Sequence, residues 1–280
     1  MIGCDCDVCR SSDPRDKRLR SSIYIQTPEC SFVVDTGTDF RMQALRENIR
    51  RVDAAIFTHS HTDHIMGFDD LRRFAYDRGY MPVYASEETM RDLERVFTFA
   101  FKGLNPFPGY LKPEPHMIDG PFELGSTNIT PLPVPHGNTI VNGYLFSRGR
   151  WNIDFQSVGP APKAFGAVSG SAEFNSAGHT GLQAHVPAPG EKLVAYLSDC
   201  SAVPDAIIDL ISGVKILIID ALREKPHPTH LNVDQALEVA SRVRPNETYL
   251  THIAHELPQS AELRLPSRTH IAYDGLKLNL

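Results

Sequence analysis

Within the stretch AAIFTHSHTDHIMGFDDLRRF, Ala54 to Phe74, four side chains of metal-ligating type, His59, His61, Asp63 and His64, fall in six consecutive positions. The chain has 12 histidines in 280 residues, so three in so short a window answer a local demand rather than average composition. Extended residues two apart project the same way, so His59 and His61 can face one centre. Asp63 and His64, at the turn into a helix, can face a second, and that arrangement suits two adjacent metal ions. The plainer alternative is a polar loop whose histidines cap a helix or meet solvent. It fits a lone histidine better than four ligand types in this order.

The elements around the cluster explain how it is held. Ala54 to Phe57 is a short apolar run that predicts a buried strand, and Gly67 to Tyr76 carries Phe68, Leu71, Phe74 and Ala75 at helical spacing. The cluster therefore sits on a strand-to-helix loop. Upstream, Ser22 to Gln26 and Ser31 to Asp35 read as strands paired around the TPEC turn, followed by a helix near Phe40 to Asn48. Downstream come a strand at Pro82 to Tyr84, a helix from Ser86 to about Phe97 with Ser86 as N-cap, and a Pro/Gly-rich loop from Gly103 to Pro115. Thr127 to Val134 and Ile140 to Ser147 read as strands, and Leu193 to Leu197, Val214 to Ile219 and Thr248 to Leu250 as further buried ones. Helices are predicted at Val203 to Ile211 and at Val233 to Val243, the latter opened by Asn232 with Gln235 three positions on, a capping-box pattern. The order is that of an α/β layered fold.

Three of these runs end on further ligand types: His136 closes ITPLPVPHG, Asp199 closes VAYLSDCS and His252 follows TYLTH. Each lies where an apolar run gives way to a loop, so all three can converge with the first cluster at one edge of a sheet. Near the N-terminus, CDCDVC places Cys4, Cys6 and Cys9 within reach of a single metal, lacking a fourth ligand for a closed tetrahedral site. The alternative there is a frayed end with free thiols. Cys30 and Cys200 read as buried, unpaired thiols.

The whole chain bounds these ideas. A hydrophobic content of 41% in 280 residues supports one large core, read as a single domain over 1–280 with an insertion or flexible loop at 149–191, rich in Gly, Ala, Ser and Pro. His179 and His185 within it read as solvent histidines. The net charge of −6 offers no broad basic footprint for nucleic acid. The opening residues have no apolar h-region, and runs such as VKILIID are too short to span a bilayer, so a cytoplasmic protein without membrane partners is expected. Five cysteines, three crowded together, point to reduced thiols or a metal rather than a disulfide framework.

The motif His59, His61, Asp63 and His64 resembles the HxHxDH of the metallo-β-lactamase fold. The surrounding GFDDLRRF, LSDCS, PHPTHLNVDQAL, THIAH and AYDGLKL are most similar to the phosphodiesterases acting on phosphoribosyl cyclic phosphate in the carbon-phosphorus lyase pathway. The resemblance implies an αββα sandwich of two mixed sheets flanked by helices. It also implies that His59, His61 and His136 hold one metal, that Asp63, His64 and His252 hold the other, and that Asp199 bridges both. Imidazole and carboxylate ligands suit zinc or manganese alike. By the same resemblance His255 is the fourth ligand of a structural zinc on Cys4, Cys6 and Cys9, and Asp35, in FVVDTGTDF, orients a ligand histidine. Asp35 reads equally well as a strand-end turn residue. Members of the resembled group begin with a strand and a glycine-rich loop ahead of the cysteines, whereas here Met1 and Ile2 precede them directly. A missing first strand, an exposed sheet edge and a possible homodimer are therefore expected.

The function implied is a metal-dependent hydrolase, a phosphodiesterase on a small cyclic or nucleotide-like diester, with Asp63, Asp199 and His230 as catalytic residues. His230, in HPTHLN just before the helix capped by Asn232, is the candidate proton donor to the leaving group, ahead of His227. Alternatives within the fold are thioester or lactam hydrolysis and tRNA 3′ processing. The alternative of another class is a non-catalytic metal protein that binds a partner, which a broken ligand set would favour.

Overall fold

The computed structural model describes residues 1–103, 109–148 and 190–280. The proposed insertion at 149–191 therefore falls almost wholly outside the described residues, with His179 and His185.

The chain opens with a short helix, α1 (Asp7–Arg10), then enters the antiparallel hairpin β1 (Ile23–Gln26) and β2 (Ser31–Val34). Helix α2 (Phe40–Arg46) leads to β3 (Ala54–Ile56), a short α3 (Thr62–Ile65) and α4 (Arg72–Ala75). Strand β4 (Met81–Ala85), α5 (Glu87–Val96), α6 (Thr98–Phe101) and β5 (Pro113–Met117) complete a sheet ordered β1-β2-β3-β4-β5, parallel from β2 to β5.

The second sheet begins with β6 (Phe122–Leu124) and the long hairpin β7 (Thr127–His136) and β8 (Thr139–Arg148). It continues through β9 (Glu191–Leu197), α7 (Asp205–Ile211), β10 (Ile216–Asp220), α8 (Val233–Val243), β11 (Glu247–Thr251) and β12 (Thr269–Ile271). Its order is β12-β11-β10-β9-β8-β7-β6, with β9 to β12 parallel and the hairpin antiparallel.

Strand alternation builds the layers. Phe32, Val34, Ala54 and Ile56 point inward onto Ile129, Tyr144, Phe146 and Tyr196 of the second sheet. Their neighbours Val33 and Ala55 point outward to Phe40, Met90 and Leu93 of the helices. On the other side Leu217 and Ile219 meet Ile207, Ile211, Ala236 and Val239. The result is an αββα sandwich of two mixed sheets. Among the described residues no helix is long and apolar enough to cross a membrane.

The caps read from sequence are present: Ser86 accepts from the Thr89 amide, and Asn232 and Gln235 form the reciprocal capping box of α8. Two expectations need correction. The single helix expected over Gly67 to Tyr76 is a 3-10 turn, Phe68–Leu71, followed by the one-turn α4. Residues 113–115, expected in a loop, belong to β5; Pro113 and Pro115 are tolerated there because β5 is an edge strand of its sheet.

Candidate metal centre

Sheet polarity gathers the candidate ligands. Strands β2, β3, β9, β10 and β11 run in parallel within their sheets, and β7, two antiparallel steps from β9, runs with them. Their C-terminal ends carry Asp35, His59, Asp199, Asp220, His252 and His136. The loop between β3 and α3 presents His59 and His61 in extended conformation, and α3 carries Asp63 and His64. Asp35 and His252, at the edge, have φ of 63° and 57°, left-handed values uncommon in non-glycine residues. Two glycines let the backbones approach. A Cβ on Gly37 would lie 2.1 Å from the Asp63 carbonyl oxygen, and one on Gly67 would lie 2.3 Å from that of Gly37.

At the centre stands Asp199, whose two oxygens divide the histidines between them. Oδ2 lies 3.9 Å from Nε2 of His59 and 3.9 Å from Nε2 of His136. Oδ1 lies 3.3 Å from Nε2 of His64 and 3.4 Å from Nε2 of His252. Asp63 Oδ2 faces the second pair, at 3.7 Å from His64 and 3.5 Å from His252. The His61 ring packs on both His59 and His136, with centroids 4.5 and 5.1 Å away. Ligand atoms of His59, His61, His136 and Asp199 fall within 4.8 Å of one another, as do those of Asp63, His64 and His252. Each set could hold a metal ion.

The chemistry of the donors fits divalent cations. His59 Nε2, His64 Nε2 and Asp199 Oδ1 are buried and make no hydrogen bond among the described residues, although several lie only 3 to 4 Å apart. Burying so many polar atoms unpaired is costly, and a cation between them satisfies all at once. Their opposite faces are held. His64 Nδ1 meets Asp35 Oδ2 at 2.8 Å, His59 Nδ1 meets Thr58 Oγ at 3.0 Å, and His136 Nδ1 donates to the Thr229 carbonyl at 2.8 Å. Asp35 also accepts from the amide and hydroxyl of Thr58, so a buried carboxylate ties β2 to the start of the ligand loop.

Protonation follows the same map. Burial, with His64 next to it, pushes His59 down to about 2, and burial lowers His136. Burial opposes charge on His64 and His252, but Asp35 and Asp199 raise the first, and Asp199 with Asp63 raises the second. Asp199 is correspondingly held well below the carboxylate range, against its burial, by His252 and His64. These are protons that a metal would displace.

His230 stands beside the cluster, its ring stacked on His252 at 4.8 Å and edge-on to His136 at 4.8 Å. Its Nδ1 meets Oδ2 of Asp220 at 2.8 Å. Asp220, fully buried, also accepts from the Cys200 amide. Burial raises Asp220 well above the carboxylate range and pushes His230 down to about 4. Asp220 was not anticipated; its signal in the sequence is an apolar run closing on an acid, ILIID, as VAYLSD does for Asp199. His227 lies 5.2 Å from His230, farther from the ligands.

A second cluster lies nearby. His255 Nδ1 is 3.5, 3.4 and 3.7 Å from the sulfurs of Cys4, Cys6 and Cys9, a Cys3His set able to hold a metal ion. Cys30 and Cys200 are buried free thiols.

Residues 31–155 and 161–253 match the family model of the beta-lactamase superfamily domain. The crystal structure of a diphosphatase from the PhnP family superposes with a TM-score of 0.78 at 37% identity, over 99% of this chain and 90% of that one. An octanoyltransferase of Porphyromonas gingivalis is 30% identical over 282 residues, 99% of this chain and 48% of its own length, so the chain spans about half of that relative. A ribonuclease Z of Clostridium novyi is 28% identical over 119 residues, 42% of this chain and 37% of that protein. The chain belongs to the metallo-β-lactamase superfamily and shares its hydrolase fold.

Proposed function

We propose that the chain hydrolyses a phosphodiester linkage in a small molecule, cyclic or nucleotide-like, using two zinc or manganese ions. The observation that carries this reading is the division of Asp199: one oxygen faces His59 and His136, the other His64 and His252, the disposition of a carboxylate shared by two metals. Similarity to a PhnP-family diphosphatase over nearly the whole chain supports phosphorus as the reacting centre.

On this reading His59, His61 and His136 would hold one ion, Asp63, His64 and His252 the other, and Asp199 would be shared between them. Such ions supply Lewis-acid polarisation of a phosphoryl oxygen and an acidified water at neutral pH. The residues of the chain do the rest. Asp63 is the ligand carboxylate most open to solvent, with its side chain 32% exposed, and can accept a hydrogen bond from the attacking water. Asp220 holds His230 Nδ1, so Nε2 is the nitrogen of that ring left for substrate. A phosphate anion bound opposite that ring raises its pKa, so His230 becomes protonated when substrate is present and returns the proton to the leaving alkoxide. Cys4, Cys6, Cys9 and His255 would hold a structural zinc.

The test is a substrate panel on metal-loaded protein: a small cyclic phosphodiester, a precursor tRNA and an octanoyl thioester, each with and without chelator. Chelator-sensitive turnover of the small diester above the others is expected. Faster cleavage of the tRNA would favour the nuclease reading that the ribonuclease Z relative suggests, although the net charge of −6 argues against a long polyanion. Turnover of the thioester alone would move the reaction to carbon, and metal binding with no turnover of any would favour a non-catalytic binding protein.

A further inference from the structure

Three of the five candidate ligand histidines have a hydrogen-bond partner that fixes the ring from behind; His252, whose Nδ1 is buried and unpaired among the described residues, is held by packing, and His61 is exposed. His59, His64 and His136 use Thr58, Asp35 and the Thr229 carbonyl. The His61 ring is exposed and makes no hydrogen bond among the described residues. What aims it is the backbone of the loop that carries it. Asp35 ties the start of that loop through Thr58, and between the two ligands themselves the tether is Ser60, whose hydroxyl donates to Asp92 Oδ2 at 2.6 Å.

Asp92 is well placed to anchor. It sits on α5, which is fixed to the outer face of the first sheet by the fully buried Met90 and Leu93 and by its Ser86 cap. The other carboxylate oxygen, Oδ1, accepts from Arg95 Nη2 at 2.9 Å, which leaves Oδ2 aimed at Ser60. The contact joins an element distant in sequence to the HSH turn, across 32 residues.

We infer that Asp92 is a positioning residue of the centre formed by His59, His61, His136 and Asp199, acting through Ser60 to fix the turn that aims His61. The inference rests on the metal-binding reading above, and it adds a residue that touches neither metal nor substrate. Ligand atoms must be held within a few tenths of an ångström for full affinity, and the loss of a supporting contact behind a ligand commonly weakens metal binding by about 10- to 100-fold.

The test is zinc affinity of the intact protein, measured by competition with a chromophoric chelator, with His61→Ala identifying which binding step belongs to this centre. Asp92→Ala and Ser60→Ala are each expected to weaken that step roughly tenfold or more, and the double variant no further, because both remove one contact. Asp92→Asn, which keeps an acceptor for the Ser60 hydroxyl, is expected to retain wild-type affinity. The second centre and the thermal midpoint are expected to stay in place, since alanine favours a helix surface. Wild-type zinc affinity in Asp92→Ala, or additive losses in the double variant, would overturn the inference alone. A wild type that binds no zinc at the His/Asp cluster would overturn the metal-binding reading and the inference together.

Discussion

His252 and His255 stand three residues apart on the loop after β11 yet serve different clusters: His252 Nε2 lies 3.4 Å from Asp199, and His255 Nδ1 lies 3.4 Å from the Cys6 sulfur. The cysteine segment from the N-terminal region thus pins the loop that delivers one of the central histidines. Arg223 pairs with Glu256 at 3.3 Å, and the Ala254 amide donates to the Leu222 carbonyl, so the loop is also tied to the end of β10.

Substituting Cys6→Ser is therefore expected to remove one metal ion per chain and to lower the thermal midpoint by several degrees, since binding at a structural site feeds directly into folding stability. Elemental analysis with a melting curve checks this. Full metal content and an unchanged midpoint would show that the Cys3His set carries no structural ion.

The Cys6 thiol gives a pH test. His255 next to it holds its pKa down to about 6, so its thiolate is populated above that pH, far below the range of an ordinary thiol. In metal-stripped protein, alkylation of Cys6 is expected to reach half its maximal rate near pH 6. His255→Ala is expected to move that midpoint upward. A midpoint above 8 in the unmodified sequence would contradict the contact.

Asp35 joins three donors: the Thr58 amide, the Thr58 hydroxyl and His64 Nδ1. Asp35→Ala leaves the Thr58 amide and His64 Nδ1 without that acceptor, while the Thr58 hydroxyl keeps only its contact with His59 Nδ1. A destabilisation of about 1–3 kcal/mol per buried group and a 10- to 100-fold loss of metal affinity are expected. Chemical denaturation and a zinc titration read the two effects separately.

His230→Ala is expected to lower kcat by about 10²- to 10⁴-fold with metal content intact. The sign of the pH dependence follows from its role. A proton donor must be charged to act, so activity falls as pH rises through its pKa. Burial sets that pKa to about 4 in the free protein, and a bound phosphate raises it. The kcat profile is expected to fall at higher pH than the kcat/KM profile, and that limb is expected to vanish in His230→Ala. Its persistence would remove His230 from the reaction.

Gly37→Ala would set a methyl group 2.1 Å from the Asp63 carbonyl oxygen. The loop must shift, and a loss of about 1–3 kcal/mol in stability is expected, together with weaker metal binding at Asp63 and His64. A variant as stable and as metal-avid as the parent would show that the two backbones do not need to meet so closely.

Much of the site was legible because its residues lie where apolar runs stop, and a buried parallel strand announces its end by changing composition. Asp199, His136 and His252 could be found that way. The reciprocal cap of α8 was equally plain, since Asn232 and Gln235 interact only with their own helix terminus. Asp92 was not legible: on an amphipathic surface helix an acid has many ordinary reasons to be present, and only the folded chain shows Ser60 against it. Strand β5 was hidden by Pro113 and Pro115, which break local strand preference but fit a sheet edge. Local spacing also could not separate a 3-10 turn from an α-helix at Phe68 to Leu71, where the same apolar side chains reach the core either way.

The most direct test of the central claim is hydrolysis of a chromogenic phosphodiester by protein loaded with zinc or manganese, beside a chelated control and Asp199→Asn. Chelator-sensitive turnover that Asp199→Asn abolishes is the result expected of a two-metal phosphodiesterase. Turnover that survives chelation or the loss of the Asp199 carboxylate, or metal-loaded protein with no turnover, would contradict it.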